Sequence, residues 1–253
     1  MDTSHRSCTR KEDEMIETSH VFEGMRQTRL GPRGMLQFTL SMGDFCTRTR
    51  SDLESVAHTL DLRGYGTYGT RLREIGVSEQ KHACSFAVFA LELLRQANHS
   101  LVPRLTADPT ACESLFQGNQ SVDDPEIHLA MSWAQALATE TYADVFAARR
   151  DPERLFFAFG AIRAVEKIAE EDIIPGEIRA FGSGSVYDLD VPSHPALDYL
   201  REHVVAEEWH HDFMEQMYVA LPPHDRAETD RGYTAAMQAF AQWFGRLHAD
   251  LFP

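Results

Sequence analysis

The chain has 253 residues and 24 basic against 39 acidic side chains, a formal net charge of −15. Such a surplus of negative charge repels phosphate backbones and anionic lipids, so nucleic acid is not expected as a partner. Apolar residues at 43% and charged residues at 25% match ordinary globular usage and exclude collagen-like and low-complexity classes.

No apolar run approaches the roughly 20 residues needed for a bilayer span. Residues 1–10 lack the apolar stretch of a secretory signal, and a cytoplasmic protein with no membrane partner is expected. The four cysteines, Cys8, Cys46, Cys84 and Cys112, form no Cys-x-x-Cys pair, so neither a zinc site nor a disulfide framework is indicated.

Residues 1–30 contain few apolar positions and are expected as a flexible N-terminal tail, leaving 31–253 as a single helical domain. From Arg33 to Leu60, helical spacings predict two short helices, the second capped by Ser51. Gly64, Gly66 and Gly69 lie close together and predict a bent surface loop without dinucleotide-binding spacing. Ser78 is the expected cap of a buried helix carrying the run Phe86 to Leu94. Asp124-Pro125 opens a helix toward Phe146, and Asp151-Pro152 opens another to about Ile173, closed by Pro175-Gly176. The Gly-, Ser- and Pro-rich residues 176–195 are expected as a loop able to cover a pocket. A helix from Pro195 to about Leu221 and a last one from about Thr229 to Leu251 complete the chain. With no strand pattern and no repeat, the fold class is all-α, with four long helices forming a bundle.

Several ionisable residues interrupt the stripes that should face inward. His203, Glu207 and His210 share one helix face, bracketed by Leu200, Met214 and Met217. Burying such a trio costs several kcal/mol unless it is paired or bound to a cation. Glu166 follows Leu155, Phe159 and Ile162 on another stripe, Glu92 interrupts the run Phe86 to Leu94, and His128 sits beside Ile127 and Met131. Each has a plainer reading: a solvated face for the trio, an edge carboxylate near Arg95 for Glu92, a boundary histidine for His128. Pooled, they supply three carboxylates and three imidazoles, the inventory with which helix bundles hold di-iron and di-manganese sites. A competing arrangement pairs Glu79-x-x-His82 with Glu207-x-x-His210, as in a ferritin-like bundle, with Glu140 or Glu166 between them. It ranks second because Glu79 and His82 fall in the first turn of the helix expected from Ser78, where acids simply favour the helix dipole. Hydrolase and phosphoryl-transfer motifs are absent from the sequence.

Gly160-Ala-Ile-Arg-Ala-Val-Glu166 and His203-Val-Val-Ala-Glu207-Glu-Trp-His210 resemble the ligand-bearing helices of the heme-oxygenase-like diiron oxidases. Glu207 stands where that family more often has Asp, and the stretch before His128 offers Ser121, Asp123, Asp124 and Glu126 where the family generally has a second glutamate. The resemblance implies a heme-oxygenase-like helical bundle and a non-heme diiron oxygenase or oxidase with O2 as co-substrate. Two Fe(II) ions would be held by Glu92, His128, Glu166, His203, Glu207 and His210. It implies a small-molecule substrate, an amino acid or amine of specialised metabolism, with Arg163 or Arg179 as candidates to meet a substrate carboxylate. An external electron donor and a homodimer are compatible with it. Two alternatives stand beside it: a metal-free enzyme or small-ligand-binding protein of the same fold, and a ferritin-like di-metal N-oxygenase.

Overall fold

The computed structural model describes residues 20–118, 122–190 and 193–253, the side chains of 206–208 excepted. Among the described residues there are helices and turns but no strand, so the chain is all-α. In chain order the helices are α1 (20–27), α2 (Pro32–Leu62), α3 (Gly66–Gln96), α4 (Val102–Ala107), α5 (Pro109–Phe116) and α6 (Pro125–Thr141). They continue as α7 (Ala143–Ala147), α8 (Leu155–Ile168), α9 (Ile174–Phe181), α10 (Asp198–Ala220) and α11 (Pro223–Leu251). None of the described helices is long and apolar enough to cross a membrane.

The two short helices expected from 33 to 60 are one helix. Phe38, Met42, Phe45, Thr49, Leu53, Val56 and Leu60 are all buried on α2 at steps of three and four, so the apolar stripe passes Ser51 without a change of phase. Thr49 is tolerated on that stripe because its hydroxyl donates to the Phe45 carbonyl at 3.1 Å.

Helix α3 likewise starts well before Ser78. Gly64, at φ +87°, makes the sharp turn out of α2. Gly69 is inside the next helix, where a Cβ would collide with the Asp61 carboxylate and stand 2.8 Å from the Ala57 carbonyl oxygen. What reads as a glycine loop is therefore a short turn followed by a close helix contact. Beyond it, Leu72, Ile75, His82, Phe86, Phe89 and Leu93 are buried along one side of α3.

Pro175 and Gly176 do not close the helix opened at Asp151. A π-helical turn over Ala169–Ile173 carries the chain on, and Pro175 then falls in the first turn of α9, where its missing N–H is harmless. The loop expected over 176–195 is thus helical as far as Phe181. Its following stretch is pinned to the body, since Tyr187 and Leu189 are buried and the Tyr187 hydroxyl accepts from the Leu30 N–H at 2.9 Å. The tail expected to reach residue 30 contains α1, whose Val21, Phe22 and Met25 are fully buried; residues 1–19 lie outside the described residues.

Helices α2 and α3 form an antiparallel hairpin, α8 pairs with α11, and α6 packs on α2 and α11. Helix α10 lies against both α3 and α8, which sets three helices around one interior region.

Candidate metal centre

That region is polar. The buried stripe of α3 presents Glu79 and His82 on neighbouring turns, α8 presents Glu166, and α10 presents His203 and His210 two turns apart. The side chains of His82, Glu166 and His210 are 6%, 3% and 0% exposed, and that of Glu79 is 11% exposed.

Glu79 sits at the centre. One of its carboxylate oxygens is 3.2 Å from His82 Nδ1 and 3.7 Å from His210 Nδ1. Glu166 approaches His210 Nδ1 at 3.3 Å. The rings of His82 and His203 have centroids 3.7 Å apart. One donor atom from each of Glu79, His82 and His203 lies within 4.8 Å of the others, close enough for a single ion to bond all three.

The tautomer of His203 follows from its neighbour. Its Nδ1 is 2.8 Å from the Tyr199 carbonyl oxygen, which can only accept, so Nδ1 carries the proton and Nε2 keeps its lone pair. Burial, reinforced by the adjacent His82, pulls the His203 pKa down to about 4, so the ring is neutral under ordinary conditions. A neutral imidazole with one fixed N–H is the form that ligates metals.

The partners of the carboxylates decide what the cluster can do. Among the described residues, the ion-pair partners of Glu79 and Glu166 are imidazoles, with no lysine or arginine within ion-pair distance of either. Inward-facing carboxylates with no lysine or arginine in reach lack a fixed compensating charge, which a divalent cation supplies most fully. Nitrogen and carboxylate donors without thiolate suit iron, manganese or zinc. Beside Glu79, Glu166 and His203 a cavity of about 30 Å³ is bounded by Met42, Phe45 and Tyr199 among others, room for one or two water-sized molecules.

Of the sequence-expected ligands, Glu166, His203 and His210 meet here. Glu207 lies on α10 between the two histidines, but its side chain is outside the described residues. Glu92 does not reach the cluster. It is buried near the far end of α3, where its carboxylate pairs with Arg95 and accepts from Gln96 Nε2 at 2.9 Å, so its charge is met one turn away. His128 is also elsewhere, half-exposed on α6 and 3.9 Å from Asp123. Glu79 and His82, ranked second from the sequence, lie in the cluster. Glu140 is exposed and pairs with Arg246. Arg163 holds Glu215 through two hydrogen bonds of 2.6 and 2.9 Å, and Arg179 is exposed, so neither is directed at the cluster.

Comparison of this chain with family models, with curated proteins and with solved structures finds no match in any of the three. The functional reading therefore rests on the residues themselves.

Proposed function

We propose that the protein is a metal-dependent oxygenase or oxidase that holds iron at Glu79, His82, Glu166, His203 and His210. The observation that carries this reading is a pair of inward-facing carboxylates, Glu166 buried and Glu79 partly so, whose only ion-pair partners, among the described residues, are imidazoles. Glu79, which approaches both His82 and His210, would hold metal together with His82 and His203, and Glu166 and His210 beside it would add further ligands. Bound Fe(II) would supply the electrons that activate dioxygen.

The chain's own contributions are placement and exclusion. Tyr199 fixes the His203 ring through its carbonyl. Met42, Phe45 and Ile174 give the adjoining cavity an apolar wall, which keeps bulk water from the reacting atoms. The likeness of the segments around Glu166 and His203 to heme-oxygenase-like diiron oxidases supports dioxygen as co-substrate and a small organic substrate such as an amino acid or amine. An external electron donor belongs to the same proposal.

Oxygen consumption by protein loaded anaerobically with Fe(II) tests it. The account expects uptake of O2 in the parent, in Glu92→Ala and in His128→Ala, and its loss in Glu79→Ala and His203→Ala. Uptake no greater than that of free Fe(II) in the parent, or equal uptake in all four variants, would count against it.

A further inference from the structure

We propose that a second site, a cleft on the outer side of the α2/α3 hairpin, binds a small organic polyanion carrying two or more carboxylate or phosphate groups. The cleft has a volume of about 610 Å³, within the usual range for metabolite pockets, and is lined by Arg50, Glu54, Arg73, Gly76, Val77, Gln80 and Lys81. Three of these seven residues are cationic; Glu54 beside Arg50 and Asp61 beside Arg73 offset two of them, leaving one net positive charge in a chain whose net charge is −15. A local positive field of this kind concentrates anions that the rest of the surface repels.

The cations are available to a ligand. Arg50 faces Glu54 at 3.8 Å with both side chains well exposed, a pair that contributes little and is easily exchanged. Arg73 pairs with Asp61 through one terminal nitrogen, which leaves the rest of its planar donor fork for a second oxyanion. Lys81 makes no ion pair or hydrogen bond among the described residues. Gln80 adds an amide donor, and Val77, 61% exposed, offers an apolar surface to the ligand's carbon frame.

Gly76 is an independent pointer. A glycine inside a helix is disfavoured relative to alanine. Here packing gives no reason for it, because an added Cβ would find only Leu53 Cβ, at an ordinary 3.9 Å. What the missing methyl preserves is room in the cleft that Gly76 lines. The inference does not depend on the metal centre, although both use α3: Glu79 and His82 belong to the inner cluster, whereas Gly76, Val77, Gln80 and Lys81 line the outer cleft.

Calorimetric titration of the full chain, freed of metal by chelation and then dialysed, with inorganic pyrophosphate at about 0.15 M salt tests the cleft. One saturable site with a Kd of about 1 mM or tighter is expected. Lys81→Gln, which removes no internal pairing among the described residues, should weaken it about tenfold, and Arg73→Gln likewise. Gly76→Ala should weaken it while raising the thermal midpoint. Arg246→Gln, far from the cleft on α11, should leave it unchanged. Absence of saturable binding in the parent overturns the proposal, as does undiminished affinity in folded Lys81→Gln. Because the titration is done without metal, its failure leaves the reading of the inner cluster intact.

Discussion

Glu177 on α9 is fully buried, and neither carboxylate oxygen finds a hydrogen-bond partner among the described residues. Burial alone pushes its pKa to about 8 from an ordinary 4.5. Between those values the folded chain keeps a proton that the unfolded chain releases, so folding stability falls as pH rises from 4.5 to 8. Thermal unfolding should show Glu177→Gln gaining stability at pH 8 while changing little at pH 4.5, and a parent and variant with parallel pH profiles would contradict the assignment. Glu177 also shows where sequence reading stops: a lone acid on a short helix carries no signal of its depth. Glu166, His203 and His210 were legible because each breaks an otherwise apolar stripe. Glu92 breaks one too, yet Arg95 and Gln96 neutralise it locally, and spacing alone does not separate a carboxylate met by its own helix from one awaiting a cation.

Glu79 and His82 were undervalued for a reason that belongs to their helix. With the start placed at Ser78 they fell in a solvated first turn; with α3 beginning at Gly66 they sit mid-helix, facing inward. The glycines that suggested a loop are partly contact residues, and a sequence does not distinguish a glycine that bends the chain from one that admits a neighbour. The pairing of α8 with α11 depends on the same device. A Cβ at Gly160 would collide with the Thr229 carbonyl oxygen, and one at Gly232 with the Phe157 carbonyl oxygen. Either helix must then move, at a cost of about 3 kcal/mol or more in stability. Chemical denaturation should show Gly160→Ala and Gly232→Ala strongly destabilised and Gly34→Ala, whose Cβ would meet nothing nearer than 3.6 Å, little changed. Equal stability of the three would remove the close crossing, and with it the placement of Glu166. Pro175 misled in the opposite sense: the π turn before it places the proline where a helix tolerates it, and no residue type in Ala169–Ile173 announces that turn.

Taken together, the all-α class and the long helices of the C-terminal half were readable from periodicity, whereas the set of residues that meet in the interior depended on how the α2/α3 hairpin, α8 and α10 approach one another. A cation at that meeting point would bind the folded chain and not the unfolded one, and so would raise its stability by about 2.7 kcal/mol at a free concentration 100 times Kd. Anaerobic calorimetric titration with Fe(II) reads both the stoichiometry and the residues responsible. One to two ions per chain are expected, with binding lost in Glu79→Ala and His203→Ala and retained in Glu92→Ala and His128→Ala. A parent chain that takes up no stoichiometric iron, or that binds it as well without Glu79 and His203, would contradict a metal centre at these helices.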